Sequence, residues 1–219
     1  MISLVLDRLP AAPRILCLGA HCDDIEIGCG GTLLAMLERN PATEVRWIVF
    51  GSNETRRAEA LRSADVFLAA CRNKHVQVAQ FRESFFPYHA AAIKEYFEQI
   101  KAAFAPDVIL THQRGDLHQD HRLVAELTWN TFRNHLILEY EILKYDGDLG
   151  APNLFVPITE QQAQKKVETI VECFATQRSR QWFAPDTFYS MLRIRGVEAN
   201  SPTRYAEAFY ARKVVWGAS

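Results

Sequence analysis

The sequence predicts an α/β protein, a sandwich of three layers around a mainly parallel sheet. Three observations predict it. Apolar runs recur at residues 14–20, 45–50 and 107–112, the pattern of strands buried on both faces. Amphipathic segments of helical period lie between them, as the crossover connections of a parallel sheet require. The first and third runs each lead into a cluster of histidine and aspartate, and open α/β sheets bind ligands beyond the carboxyl ends of their strands.

Taken in order, residues 14–20 give the first strand, which stops at a polar cluster. A helix is expected from Gly30 or Gly31 through Arg39, closed by Asn40-Pro41. Residues 45–50 give the second strand, and the charged, alanine-rich stretch 55–71 the second helix. A short strand is expected at 76–79 and an amphipathic helix at 89–104. Pro106 introduces the strand 107–112, with a helix to follow from about residue 119 to about 134. Beyond Leu136 the pattern weakens. Residues 139–143 and 153–158 look extended around a turn at Asp146-Gly147-Asp148. Residues 159–177 read as a helix opened by the capping box Thr159-x-x-Gln162, and 204–215 as a returning strand. No repeat or linker divides the chain, so residues 1–219 are expected to form a single domain of Rossmann-like sandwich type.

With 219 residues the chain can build its core without disulfides. Hydrophobic residues make up 48% and charged residues 23%, the balance of a globular protein. The formal net charge of -1, with basic residues no denser than the pairs Arg56-Arg57 and Lys165-Lys166, disfavours a nucleic-acid partner. Five cysteines, odd in number and without a C-x-x-C, are expected as reduced thiols in a cytoplasmic protein. No apolar run approaches the roughly 18 residues of a membrane span. A homo-oligomer is left open.

The first cluster reads Ala20-His21-Cys22-Asp23-Asp24-Ile25-Glu26-Ile27-Gly28-Cys29-Gly30-Gly31-Thr32. Adjacent Asp23 and Asp24 repel each other unless a cation sits between them, and imidazole with carboxylate suits zinc. One competing reading makes the two aspartates helix caps. Another makes Gly28, Gly30 and Gly31 a phosphate loop, which the acidic residues just before them oppose. The second cluster, Asp116-Leu117-His118-Gln119-Asp120-His121-Arg122, occupies the equivalent place after the strand ending at His112. His118 and His121 share a face if a helix starts here, and a ligand from this loop completes a site of three protein ligands with an open position. His112 itself is expected as a hydrogen-bonded core residue.

Together the clusters resemble the two motifs of the zinc-dependent N-deacetylases of the PIG-L/LmbE-like superfamily. That group includes the deacetylases of GlcNAc-phosphatidylinositol and of the mycothiol and bacillithiol precursors. Ala-His-Pro-Asp-Asp with a following acidic residue becomes Ala20-His21-Cys22-Asp23-Asp24-Ile25-Glu26, and His-Pro-Asp-His becomes His118-Gln119-Asp120-His121. The likeness runs over about residues 14–134 and includes an Arg-x-x-Glu at Arg56 and Glu59.

The resemblance implies one zinc ion per chain, or another divalent transition metal, held by His21, Asp24 and His121. It implies Asp23 as general base, His118 as acid and oxyanion partner, Asp120 as a group orienting a histidine, and Arg56 (or Arg57) as a substrate-binding residue. Both motif prolines are replaced, by Cys22 and Gln119, and Asp116 stands where some members carry a tyrosine. Cys22 lies between two of the implied ligands, so its side chain is expected to point away from their metal. The activity implied is hydrolysis of the N-acetyl amide of a small GlcNAc-type amino sugar or glycoconjugate, with release of acetate. The alternatives are removal of another N-acyl group, amidase action on a thiol conjugate, or a non-catalytic metal- or nucleotide-binding domain.

Overall fold

The structure is a computed structural model that describes residues 9–215. Its strands are β1 (Arg14–Gly19), β2 (Glu44–Gly51), β3 (Asn73–Phe81), β4 (Val108–His112), β5 (Leu136–Tyr140), β6 (Leu154–Ile158) and β7 (Tyr205–Ala211). They form one seven-stranded sheet in the order β3-β2-β1-β4-β5-β7-β6. The first five strands in sequence pair in parallel, and β7 is antiparallel to both β5 and β6. The helices are α1 (Asp24–Arg39), α2 (Glu54–Phe67), α3 (Ala90–Ala103), α4 (Gln119–Thr131), α5 (Glu160–Cys173) and α6 (Pro185–Glu198). The α/β class and the mainly parallel sheet are as the sequence predicts.

Strand alternation divides the core in two. Ile15, Cys17, Val45, Trp47 and Val49 face one way and pack with Ile25 and Leu33 of α1, Phe67 of α2, Val167 of α5 and Leu192 of α6. Leu16, Leu18, Ile48 and Phe50 face the other way, against Phe97 of α3 and Val124 of α4. Both faces of the central strands are therefore covered, which is why their sequences are predominantly apolar. From β1 the chain winds outward to β2 and β3, then returns across β1 to place β4 on its other side. This reversal opens a crevice beyond the carboxyl ends of β1 and β4.

The chief departure from expectation is α1, which begins at Asp24 rather than at Gly30 or Gly31. Its glycines allow close packing rather than forming a loop. A Cβ on Gly28 would lie 2.2 Å from Cδ2 of Tyr140, and one on Gly31 2.8 Å from Cδ1 of Ile158. A buried ion pair joins the same helix. Lys166 Nζ donates to Ile27 O and to Glu207 Oε1 (both 2.6 Å), while Glu207 accepts from the amides of Gly31 and Thr32 at 2.7 Å.

Elsewhere the bounds move. β3 is longer than expected, β5 starts at Leu136 rather than 139, and α2 and α5 end at Phe67 and Cys173. The expected capping box at Thr159 and Gln162 is present. α6 was not expected. Its buried Phe188, Leu192, Arg195 and Gly196 have helical spacing, but the arginine interrupts the apolar signal. The strand expected at 204–215 is β7, Tyr205–Ala211; residues 1–8 and 216–219 lie outside the described residues.

Candidate metal centre and active site

Two short segments build the crevice. The turn from β1 into α1 supplies His21, Asp23 and Asp24, and the turn from β4 into α4 supplies Asp116, His118, Asp120 and His121. Asp23 occupies the N-cap of α1 but makes no side-chain capping bond, which removes the capping reading. Its carboxylate instead accepts from Arg56 Nη2 at 2.9 Å. His118 is the N-cap of α4, its Nδ1 accepting the Asp120 amide at 3.2 Å.

The two histidines implied as ligands face each other, His21 Nδ1 to His121 Nε2, at 3.0 Å. Asp24 closes the triangle, with Oδ2 3.6 Å from His21 Nδ1 and Oδ1 3.5 Å from His121 Nε2. Tetrahedral zinc bonds of about 2.0–2.1 Å place donors about 3.3–3.4 Å apart, so the triangle has the size such an ion needs. The far side of each ring is held by a carboxylate. Asp120 Oδ2 lies 3.0 Å from His21 Nε2, and Asp116 Oδ2 lies 2.9 Å from His121 Nδ1. With a proton on each outer nitrogen, the inner nitrogens present lone pairs to one another and to an ionised Asp24. Such an arrangement needs a shared proton or a cation.

Charge states follow the same geometry. Burial, together with the neighbouring His112, pushes the His121 pKa down to about 3, leaving a neutral imidazole. Burial would lower that of His21 as well, but the Asp24 carboxylate and the Asp120 hydrogen bond outweigh it and raise the value. Burial would raise Asp24, yet His121, His112 and His21 hold it well below the usual carboxylate range. Asp23 goes the other way: burial raises it, Arg56 opposes the rise and Asp24 adds to it. His118 is lowered by burial and by His21, which keeps it neutral.

The structure brings His21, Asp23, Asp24, His118, Asp120, His121 and Arg56 together, and adds residues that the motifs do not mark. Asp116 anchors His121 and is itself held by Lys144 Nζ at 3.0 Å and the His118 amide at 2.8 Å. His112, fully buried, places Nε2 3.1 Å from Asp24 Oδ2 and stacks its ring on His121 at 4.0 Å. It is a core residue as expected, but one that braces two of the implied ligands. Glu83 accepts from Arg56 Nη1 at 2.8 Å through both oxygens. Arg56 thus spans Glu83 and Asp23, whereas Arg57 is exposed. Cys22 Sγ turns to Gly51 O at 3.4 Å, and burial pushes its thiol pKa up. Two overlapping groups of donors within reach of a metal occur here, His21 with His118 and His121, and Asp24 with His112 and His121. His121 belongs to both.

The fold and the cluster define a doubly wound α/β protein with a histidine–aspartate centre at its switch point. Residues 16–132 match the family model described as PIG-L, GlcNAc-PI de-N-acetylase, and the chain belongs to that family. Comparison with curated protein sequences gives no match. Among solved structures, the chain is similar to the N,N'-diacetylchitobiose deacetylase of Pyrococcus horikoshii, at TM-score 0.68 and 20% identity over 90% of this chain and 83% of that one. It is similar to the zinc-inhibited form of teicoplanin deacetylase Orf2, at TM-score 0.69 and 14% identity over 90% and 97%. It is also similar to GalB, the 4-carboxy-2-hydroxymuconate hydratase of Pseudomonas putida, at TM-score 0.71 and 15% identity over 94% of this chain and 100% of that one. Identities this low speak for the fold alone, and one fold carries several chemistries.

Proposed function

We propose that the chain is a zinc-dependent N-deacetylase that hydrolyses the acetamide of a small GlcNAc-type amino sugar or glycoconjugate, releasing acetate and a free amine. The observation that supports it most is the pair of carboxylate-anchored imidazoles turned towards each other and towards Asp24. His21, Asp24 and His121 would hold one zinc ion per chain. Bound zinc supplies a Lewis acid and lowers the pKa of water from about 15.7 to about 7. Family membership and the deacetylase names of two structural neighbours point to the amide as substrate.

The chain's own groups divide the remaining work. Arg56 holds Oδ1 of Asp23 and leaves Oδ2 to take a proton as general base. Its raised pKa brings that carboxylate nearer to the pH at which it works. His118 accepts the Asp120 amide on Nδ1, so its proton sits on Nε2, from which it can donate to a carbonyl oxygen gaining charge. A proton for the departing amine comes from His118 or Asp23. Asp120 and Asp116 keep the rings of His21 and His121 in register.

The test is acetate release from a panel of N-acetylated amino sugars by zinc-loaded protein, with and without a chelator. Release that the chelator abolishes and zinc restores is expected. Release of a different acid from other N-acyl substrates would move the assignment to another amidase. Zinc binding with no amide hydrolysis across the panel would contradict the enzymatic reading.

A further inference from the structure

The sheet ends on one side at β3, and there the two outermost strands present polar groups towards α3. In β2, Arg46 shares a face with Ile48 and Phe50, which belong to the core under α3. Its register partner in β3 is His75, and Gln77 follows on the same face. From α3, Tyr96, Gln99 and Ile100 turn to the same space, at the spacing of one helix face. These side chains line a cavity of about 240 Å³ that opens to solvent between the edge strand and the helix.

Arg46 is the only group in that lining with a permanent charge, and no carboxylate joins it. Its guanidinium carbon stands 4.4 Å over the centre of the Phe104 ring, a stacking contact that orients the fork. Among the described residues it forms no ion pair, unlike Arg14, Arg56, Arg195 and Arg212. Its Nε is shut off from solvent and meets no acceptor. A buried donor in that condition is rare in folded proteins and calls for an explanation. The Tyr96 hydroxyl, the two glutamine amides and the His75 ring add further donors around it.

We propose that this cavity binds a phosphate group, free or as the monoester of a small polar molecule. The planar fork of an arginine matches phosphate through two parallel hydrogen bonds. Five donor-bearing side chains offer more than the two oxygens of a carboxylate can use, whereas phosphate brings a further oxygen. Nothing acidic in the lining repels the anion. Arg46 lies five residues before Gly51 at the carboxyl end of β2, about 16 Å at about 3.3 Å per residue. The cavity is therefore separate from the metal crevice, and the proposal does not depend on the deacetylase reading.

The experiment is calorimetric titration of zinc-loaded protein with inorganic phosphate, glycerol 3-phosphate and acetate at constant ionic strength. One phosphate site per chain is expected, with acetate at least tenfold weaker. Arg46→Gln should weaken phosphate about tenfold or more, the value of a charge-assisted hydrogen bond. Gln99→Glu, at an exposed position of α3, keeps Arg46 but sets a negative charge in the lining, and it should abolish binding. In the parent, phosphate should also shift the ring resonances of His75. Tighter binding of glycerol 3-phosphate would identify an ester as the ligand, and equal affinity free phosphate. No binding of either, acetate as tight as phosphate, or binding that survives both substitutions would overturn the proposal. So would binding lost in His121→Ala but kept in Arg46→Gln, for the anion would then sit on the metal centre.

Discussion

Asp116→Asn removes one charge from behind His121, the proposed metal ligand, while keeping an oxygen of the same reach. In the parent, Asp116 Oδ2 meets His121 Nδ1 at 2.9 Å and Oδ1 meets Lys144 Nζ at 3.0 Å. The carboxylate polarises the imidazole and raises the basicity of the opposite nitrogen, which faces His21 and Asp24. Loss of such a partner costs about 10- to 100-fold in metal affinity, or about 1.4–2.7 kcal/mol. Lys144 keeps Asp148 and the Ile142 carbonyl, so the loop loosens but the core does not. Zinc affinity measured by competition with a chromogenic chelator should weaken within that range, with the thermal transition of the metal-free protein little changed. An unchanged zinc affinity would refute the claim that Asp116 acts through His121. A collapsed fold would assign Asp116 to stability.

Other perturbations follow from the same contacts. Arg56→Ala removes the cation that opposes the upward shift of Asp23, so the acid limb of the pH–rate profile should move to higher pH. The base must be ionised, and activity is lost as pH falls through its pKa; a limb that stays in place would detach Arg56 from Asp23. Lys166→Met leaves Glu207 charged in a site where both partners are only 3% exposed. Breaking such a pair costs about 3–5 kcal/mol, and at about 2–4 °C per kcal/mol for a chain of this size the melting temperature should fall by about 6–20 °C in calorimetry. Gly28→Ala drives a methyl group into the Tyr140 ring, and about 1–3 kcal/mol of overpacking should accompany weaker zinc binding, because α1 carries Asp24 one turn away. Parental stability in that variant would mean that the helix and sheet can part without strain.

How legible the molecule is in its sequence depended on burial and on distance along the chain. β1, β2 and β4 are covered on both faces, and their largely apolar runs say so. α1 hides its first turns, because the stretch from Asp24 up to the glycines reads as loop, while Gly28, Gly30 and Gly31 serve close contact with Tyr140, Phe67 and Ile158. α6 is obscured by Arg195, a buried arginine that pairs with Glu141 across the chain. In the candidate site, His21 to Asp24 and His118 to His121 stand out because each group is contiguous. Glu83 and Lys144 do not, since each meets its partner only after the chain has folded, Glu83 reaching Arg56 from 27 residues away. Asp116 was visible as the residue in place of a tyrosine, but its bond to His121 required the fold.

The central claim is that Asp24 and His121 hold the metal while Asp23 beside them does chemistry. Metal content by mass spectrometry and acetate release, measured together on the parent, His121→Ala and Asp23→Ala, test it most directly. The parent should carry one zinc per chain, His121→Ala should lose it, and Asp23→Ala should keep it while losing most turnover. Full zinc in His121→Ala, or parental turnover in Asp23→Ala, would contradict it.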